Sequence, residues 1–256
     1  MAILETKQLT KRFGGLTAVS QVDLSVREKS ITTVIGPNGA GKTTFFNMIT
    51  GIYEPDEGTI HFNGQSLIGK KPNEVAARGI ARTFQNIRLF KEMTVLENVL
   101  VGMHSHLQTH FLGMFFSLPG TKKKELAAQK EAYALLRYVG LEEFLNDTAK
   151  NLPYGAQRRL EIARALALKP NILLLDEPAA GMNPRETREL TQLIKQIRDE
   201  LHITMILIEH DMKLVMEISE DIIVLDHGEK IAAGTPDEIR NHPKVIEAYL
   251  GKGAVS

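Results

Sequence analysis

The stretch TTVIGPNGAGKTTFFN, residues 32–47, decides the fold. Gly36, four intervening residues and then Gly41-Lys42-Thr43 make the spacing of a phosphate-binding loop. Glycine is needed there because backbone N–H groups must come close to phosphate oxygens, where a Cβ would clash. A helix opening at about Lys42 turns its partly positive N-terminus toward the same anion. Lys42 can reach the β- and γ-phosphates, and the Thr43 hydroxyl is placed to hold Mg²⁺. The candidate triphosphate contacts are Gly36, Pro37, Asn38, Gly39, Ala40, Gly41, Lys42, Thr43 and Thr44. The apolar run 31–35 reads as a buried strand, so the strand–loop–helix context is met.

Working outward, 256 residues suffice for one large domain, or a main lobe with a subdomain. With 43% hydrophobic and 24% charged residues, the chain is ordinary globular protein rather than a disordered segment. Thirty-one basic residues balance 31 acidic ones, so nothing in the net charge points to nucleic acid. There are no cysteines, which removes disulfides and thiolate metal sites and suits a reducing cytosol. The N-terminus lacks the apolar core of a signal peptide, and no apolar run approaches the roughly 20 residues of a membrane helix. A membrane role would have to come through a partner.

Residues 3–9 and 22–26 read as strands of an antiparallel flank, joined by a glycine turn, Lys11 to Gly15, carrying Phe13. Residues 59–62 make a strand closed by Asn63-Gly64, 73–78 a short helix, and 80–84 a strand ending at Gln85. The character then turns helical. Thr94 and Glu97 form a capping box opening a helix to about Met103; further helices are expected over 122–139 and from about Gly155. Apolar strands return at 171–175 and 203–208, ending in Asp176-Glu177 and, just beyond, His210. Asn183-Pro184 and Thr235-Pro236 each begin a helix, and 222–225 and 231–233 form a last strand pair.

The expected fold is α/β: a phosphate-loop core with a mainly parallel sheet, an antiparallel β flank and an inserted helical subdomain. The chain reads as a single domain, 1–256. Within it 1–87 and 169–256 form the core, and about 88–168 the helical subdomain. Ligands of such sheets lie at the carboxyl ends of the strands, where Gly36, Asp176 and His210 should gather.

Phosphoryl transfer to water needs a carboxylate for Mg²⁺ and a second group to orient or deprotonate the water. Asp176 and Glu177, leaving one strand in succession, suit these two tasks. His210 is a candidate γ-phosphate contact, Gln85 a candidate sensor of Mg²⁺ or water, and Phe13 a candidate stacking partner for adenine. Three weaker signals have plainer readings. His104, His106 and His110 lack ligand spacing and read as a loop; Lys122 to Lys124 reads as a solvated helix start; Phe111, Leu112, Met114, Phe115 and Phe116 read as packing of the helical lobe.

GPNGAGKTT, Gln85, LPYGAQ at 152–157, ILLLDE at 172–177 and His210 together resemble the ATP-binding subunit of an ABC transporter, over essentially the whole chain. The segment 83–99, the run DEPAAGMNP and the ending VIEAYLG resemble in particular the subunits that energise branched-chain amino-acid importers, the LivG type. The resemblance implies an ATPase using ATP and Mg²⁺, the metal held by Thr43, Gln85 and Asp176, with Glu177, His210 and Gln85 catalytic. It implies a head-to-tail dimer in which Tyr154, Gly155, Ala156 and Gln157 face the nucleotide of the other subunit. The implied partners are a second ATPase (LivF type, or a second copy), two membrane permease subunits and, indirectly, a periplasmic binding protein. The implied place is cytoplasmic, on the inner face of the cell membrane. An ATPase driving lipopolysaccharide extraction or another export process, or a non-transport ABC ATPase, is the competing expectation.

Two segments depart from the pattern: the usual LSGGQ is Leu152-Pro153-Tyr154-Gly155-Ala156, and the usual Asp of the dimer-contact loop is Asn183. Both face the other subunit, whereas Lys42, Thr43, Asp176, Glu177 and His210 are all present. The expected consequence is asymmetry, with turnover on this chain's own phosphate loop and less on the opposite site. Glu177→Gln in a reconstituted pair should then remove most ATPase activity, since one preorganised contact can be worth about 10²–10³-fold in rate. Near wild-type turnover in that variant would contradict the asymmetry.

Overall fold

The structure is a computed structural model that describes residues 2–107 and 119–250, and side chains outside 104–123 and 250. The side chains of His104, His106, His110, Lys122 and Lys123 and the cluster from Phe111 to Phe116 lie outside the described residues.

Two sheets face each other. One is antiparallel, in the order β2-β1-β4-β5, formed by β1 (Ala2–Phe13), β2 (Leu16–Arg27), β4 (Glu57–Phe62) and β5 (Gln65–Ser66). The hairpin β1–β2 is longer than its apolar alternation predicted. Lys11 and Phe13 belong to β1, and the turn is only Gly14-Gly15, with Gly14 at φ 57°. This end of the hairpin is exposed, so it carries no hydrophobic period to read; its backbone hydrogen bonds hold it.

The second sheet runs β10-β9-β3-β8-β7-β6. Its strands are β3 (Ile31–Ile35), β6 (Ile80–Arg82), β7 (Ile172–Asp176), β8 (Thr204–Ile208), β9 (Asp221–Asp226) and β10 (Glu229–Gly234). All pair in parallel except β10. Every residue of β3, β7 and β8 is buried, as expected of strands covered on both faces. The register sets Asp176 opposite Ile208 and Ile35 opposite Val224, so the residues following each strand emerge at one edge. The strand expected over 80–84 stops at Arg82, where its side chain leaves the sheet pattern for a polar partner.

One face of this sheet packs on the flank through α1 (Lys42–Ile49), whose Phe45, Phe46, Met48 and Ile49 share a core with Leu4, Leu9 and Phe62. On the other face, α3 (Val95–Leu107), α4 (Pro119–Tyr138), α5 (Tyr154–Leu166) and α6 (Pro184–Leu201) form one apolar cluster with Leu173, Leu175, Met205 and Leu207. The remaining helices are α2 (Pro72–Ala77), α7 (Met212–Ile218), α8 (Pro236–Arg240) and α9 (Pro243–Leu250). The capping boxes read at Thr94, where N–H donates to Glu97 at 2.8 Å, and at Thr235 both form, and the cap at Asn183 is a capping box as well. The helix after Thr94 runs to Leu107, past the expected Met103, so His104 and His106 belong to a helix rather than a loop; α4 starts at Pro119, before the expected 122.

Helices α3 and α5 touch at Gly102. A Cβ there would lie 2.5 Å from the Arg164 carbonyl oxygen and 3.1 Å from Ala167 Cβ. Gly102→Ala must push the helices apart, and urea unfolding should show a loss of about 1–3 kcal/mol. An unchanged midpoint would mean that the helices separate freely.

Candidate functional site

The phosphate loop leaves β3 at Gly36, whose φ of 150° places its Cβ position 2.0 Å from the Leu225 carbonyl oxygen. Gly41, at φ 94°, would bring a Cβ within 2.3 Å of the Ala18 carbonyl oxygen. These two glycines let the loop lie against the neighbouring chain. Gly39, at φ 82°, has no protein atom within 4 Å of its Cβ position and faces a cleft instead. That cleft holds about 550 Å³ and is lined on one side by Asn38 to Thr44 and on the other by Gln85 and Glu177. Phe13, Leu16, Thr17, Ala18 and His227 close its end. Lys42 bends back over the loop, its Nζ donating to the carbonyls of Gly36 at 2.7 Å and Pro37 at 2.9 Å. Burial lowers its pKa, while Glu177 and Asp176 pull the other way.

The carboxylates lie where the register places them. Asp176 is buried, and its Oδ2 accepts from Arg82 at 2.7 Å. Glu177 turns the chain at φ 47°, a left-handed conformation held by its N–H donating to the Ile208 carbonyl at 2.9 Å. Its Oε2 accepts from Gln85 Nε2 at 2.9 Å, and the exposed His210 stands with Nδ1 3.8 Å from the same oxygen. Gln85, Glu177 and His210 thus converge as expected. Phe13 lines the cleft with one edge occupied: its ring meets Tyr53 edge-on at 5.3 Å, and Lys11 Nζ lies 5.6 Å from its centroid.

Of the segment expected to face another subunit, Tyr154 is exposed at the start of α5, while Gly155 and Ala156 are buried. Gly155 is covered by Glu186, and Gln157 donates its amide to its own chain's Leu152 carbonyl at 2.9 Å. Asn183 has a local role: its Oδ1 caps α6, accepting from Arg185 at 2.9 Å and Glu186 at 3.0 Å.

Several residues went unread in the sequence. Arg158 and Glu161 form a fully buried pair at 2.9 Å. Arg158 also donates to the carbonyls of Phe84 at 2.7 Å and Gln85 at 2.9 Å, and Glu161 accepts from the N–H of Phe84 and of Arg88. This pair clamps the segment carrying Gln85 to α5. Buried Glu209 accepts from Ala179 N–H at 2.9 Å and His210 N–H at 3.0 Å, tying the loop after β8 to the loop after β7. Their signal was available: a charge set at helical spacing among apolar residues, or closing an apolar strand, is costly unless paired.

A glycine loop on a helix N-terminus, sharing a cleft with Glu177 just past a strand that ends in the buried Asp176, defines a nucleoside-triphosphate hydrolase of the phosphate-loop class. Residues 19–180 match the family described as ABC transporter, and residues 229–255 the one described as branched-chain amino acid ATP-binding cassette transporter. The chain is 53% identical to the high-affinity branched-chain amino acid transport ATP-binding protein BraF of Pseudomonas aeruginosa, with 98% of each covered. It is 50% identical to LivG of Escherichia coli, again over 98% of each. A nucleotide-free ATP-binding cassette from an ABC transporter superposes with a TM-score of 0.85 at 34% identity, covering 98% of this chain and 100% of that one. A dimeric bacterial ABC transporter cassette gives 0.76 at 27% identity, covering 91% and 98%. The chain belongs to the ABC transporter ATP-binding proteins, in their branched-chain amino-acid transport group.

Removing the clamp should be costly. Arg158→Met leaves Glu161 buried without a cation, a loss of about 3–5 kcal/mol in denaturant unfolding. Amide exchange over residues 84–88 should accelerate in the same variant, and unaltered exchange would separate the pair from the placement of Gln85.

Proposed function

We propose that this chain is the ATP-hydrolysing subunit that energises an ABC importer for branched-chain or related amino acids. The observation that carries the reading is that Gln85 and Glu177 line the same cleft as the phosphate loop, with His210 beside Glu177. The triphosphate lies along the backbone of Gly36 to Thr44, with the Lys42 ammonium over its β- and γ-phosphates. Lys42 already bends over the loop, so little rearrangement is needed to meet an anion.

Glu177 Oε2 accepts a proton from the attacking water, and the Gln85 amide, already on that oxygen, orients the pair. His210 sits on the γ-phosphate side of Glu177. Thr43, exposed on the cleft in the first turn of α1, with Gln85 and buried Asp176, makes a hard oxygen set that fits Mg²⁺. When bound, that ion neutralises charge on the phosphates.

The remaining half of the site is proposed to come from a second ATPase subunit, docked head to tail, with Tyr154 to Gln157 serving that subunit's nucleotide in return. The helical subdomain, about residues 88–168, together with the segment around Gln85, would receive a coupling helix from the membrane permease, which has two subunits, and a periplasmic binding protein would deliver cargo. This places the chain on the inner face of the cell membrane. Lys42→Ala in the reconstituted transporter should abolish ATP-dependent amino-acid uptake while circular dichroism shows an intact fold. Normal uptake would refute the reading.

A further inference from the structure

Arg82 is the last residue of β6, a cation closing an otherwise apolar strand. Its side chain and that of Asp176 are only 6% and 4% exposed. One guanidinium nitrogen donates to Asp176 Oδ2 at 2.7 Å. Another donates to Asn47 Oδ1 at 2.7 Å and Thr50 Oγ1 at 3.2 Å, both at the C-terminal end of the helix that begins with Lys42 and Thr43. The rings of Phe46 and Phe84 lie against the cation, with centroids 5.6 and 5.2 Å from Cζ. The guanidinium is therefore fixed by three acceptors and two rings, which tie it to α1 and to Asp176 at the end of β7.

We propose that Arg82 is a positioning residue for the metal carboxylate: it occupies Asp176 Oδ2, turns Oδ1 to the cation, and weakens the carboxylate's pull on a divalent ion. The inference rests on the reading of Asp176 as the metal carboxylate and goes beyond it. An isolated buried carboxylate attracts a dication strongly, because little water screens it. A fixed positive charge on its other oxygen offsets that attraction, and guanidinium does so at every working pH because it does not deprotonate. The site then releases its metal with product instead of retaining it. The other guanidinium nitrogen, held by Asn47 and Thr50, keeps the donor aimed at Asp176 Oδ2.

The test uses the full chain with ADP and Mn²⁺ as a paramagnetic probe, free and bound metal being separated by electron paramagnetic resonance. Arg82→Gln and Arg82→Met remove the charge in two different shapes, so misfolding of one leaves the other to decide. In both, the Mn²⁺ dissociation constant should fall about tenfold, a conservative size for a unit charge a few ångströms away at a partly screened site. Arg82→Lys keeps the charge and should stay within about twofold of wild type. ADP affinity in excess EDTA should be unchanged in all three, showing an intact loop. Unchanged or weaker Mn²⁺ binding in a folded neutral variant overturns the proposal, because a merely structural pair would give that result. Asp176→Asn separates the two readings. If it leaves Mn²⁺ affinity unaltered, Asp176 is not the metal carboxylate; if it weakens binding while the neutral Arg82 variants do not tighten it, the role of Arg82 alone fails.

Discussion

The register of β7 between β6 and β8 is the constraint on which the site depends. It sets Asp176 beside Ile208 and Leu174 beside Arg82, so β6 ends two residues before the point that β7 and β8 reach together. From there Glu177 can turn left-handed against the Ile208 carbonyl, and Gln85 can reach it from the segment after β6. A slip of one residue would send each of these side chains to the opposite face of the sheet. The fully apolar strands hold that register by burying both faces at once.

Charge placement follows from this frame. Two buried ion pairs flank the segment from Arg82 to Arg88: Arg82 with Asp176 at one end, Arg158 with Glu161 at the other. Buried pairs of this kind add little net stability, since desolvation offsets most of the Coulomb attraction. Their effect is positional. One ties the start of the segment to Asp176 and the phosphate-loop helix; the other ties Phe84 and Gln85 to α5. Helix α5 is thereby joined by hydrogen bonds to the backbone of the residue that touches Glu177.

The phosphate loop opens on a cleft, and Tyr154 is exposed at the start of α5. Asn183, which departs from the familial acid, keeps the helix cap with a neutral side chain. The altered residue at this position therefore preserves the local fold.

By itself the sequence determined the phosphate loop, the buried parallel strands, the capped helices at Thr94, Asn183 and Thr235, and the emergence of Gly36, Asp176 and His210 at one sheet edge. Each rests on local signals: glycine spacing, apolar runs and capping residues whose effect spans a few positions. Strand ends were less legible, because β1 extends past its hydrophobic alternation and β6 stops early at Arg82. The partners of Arg82, Arg158 and Glu209 were decided only by tertiary structure. Their contacts join residues 94, 74 and 30 positions apart, and no local period records which distant carboxylate, carbonyl or N–H will stand opposite a buried charge.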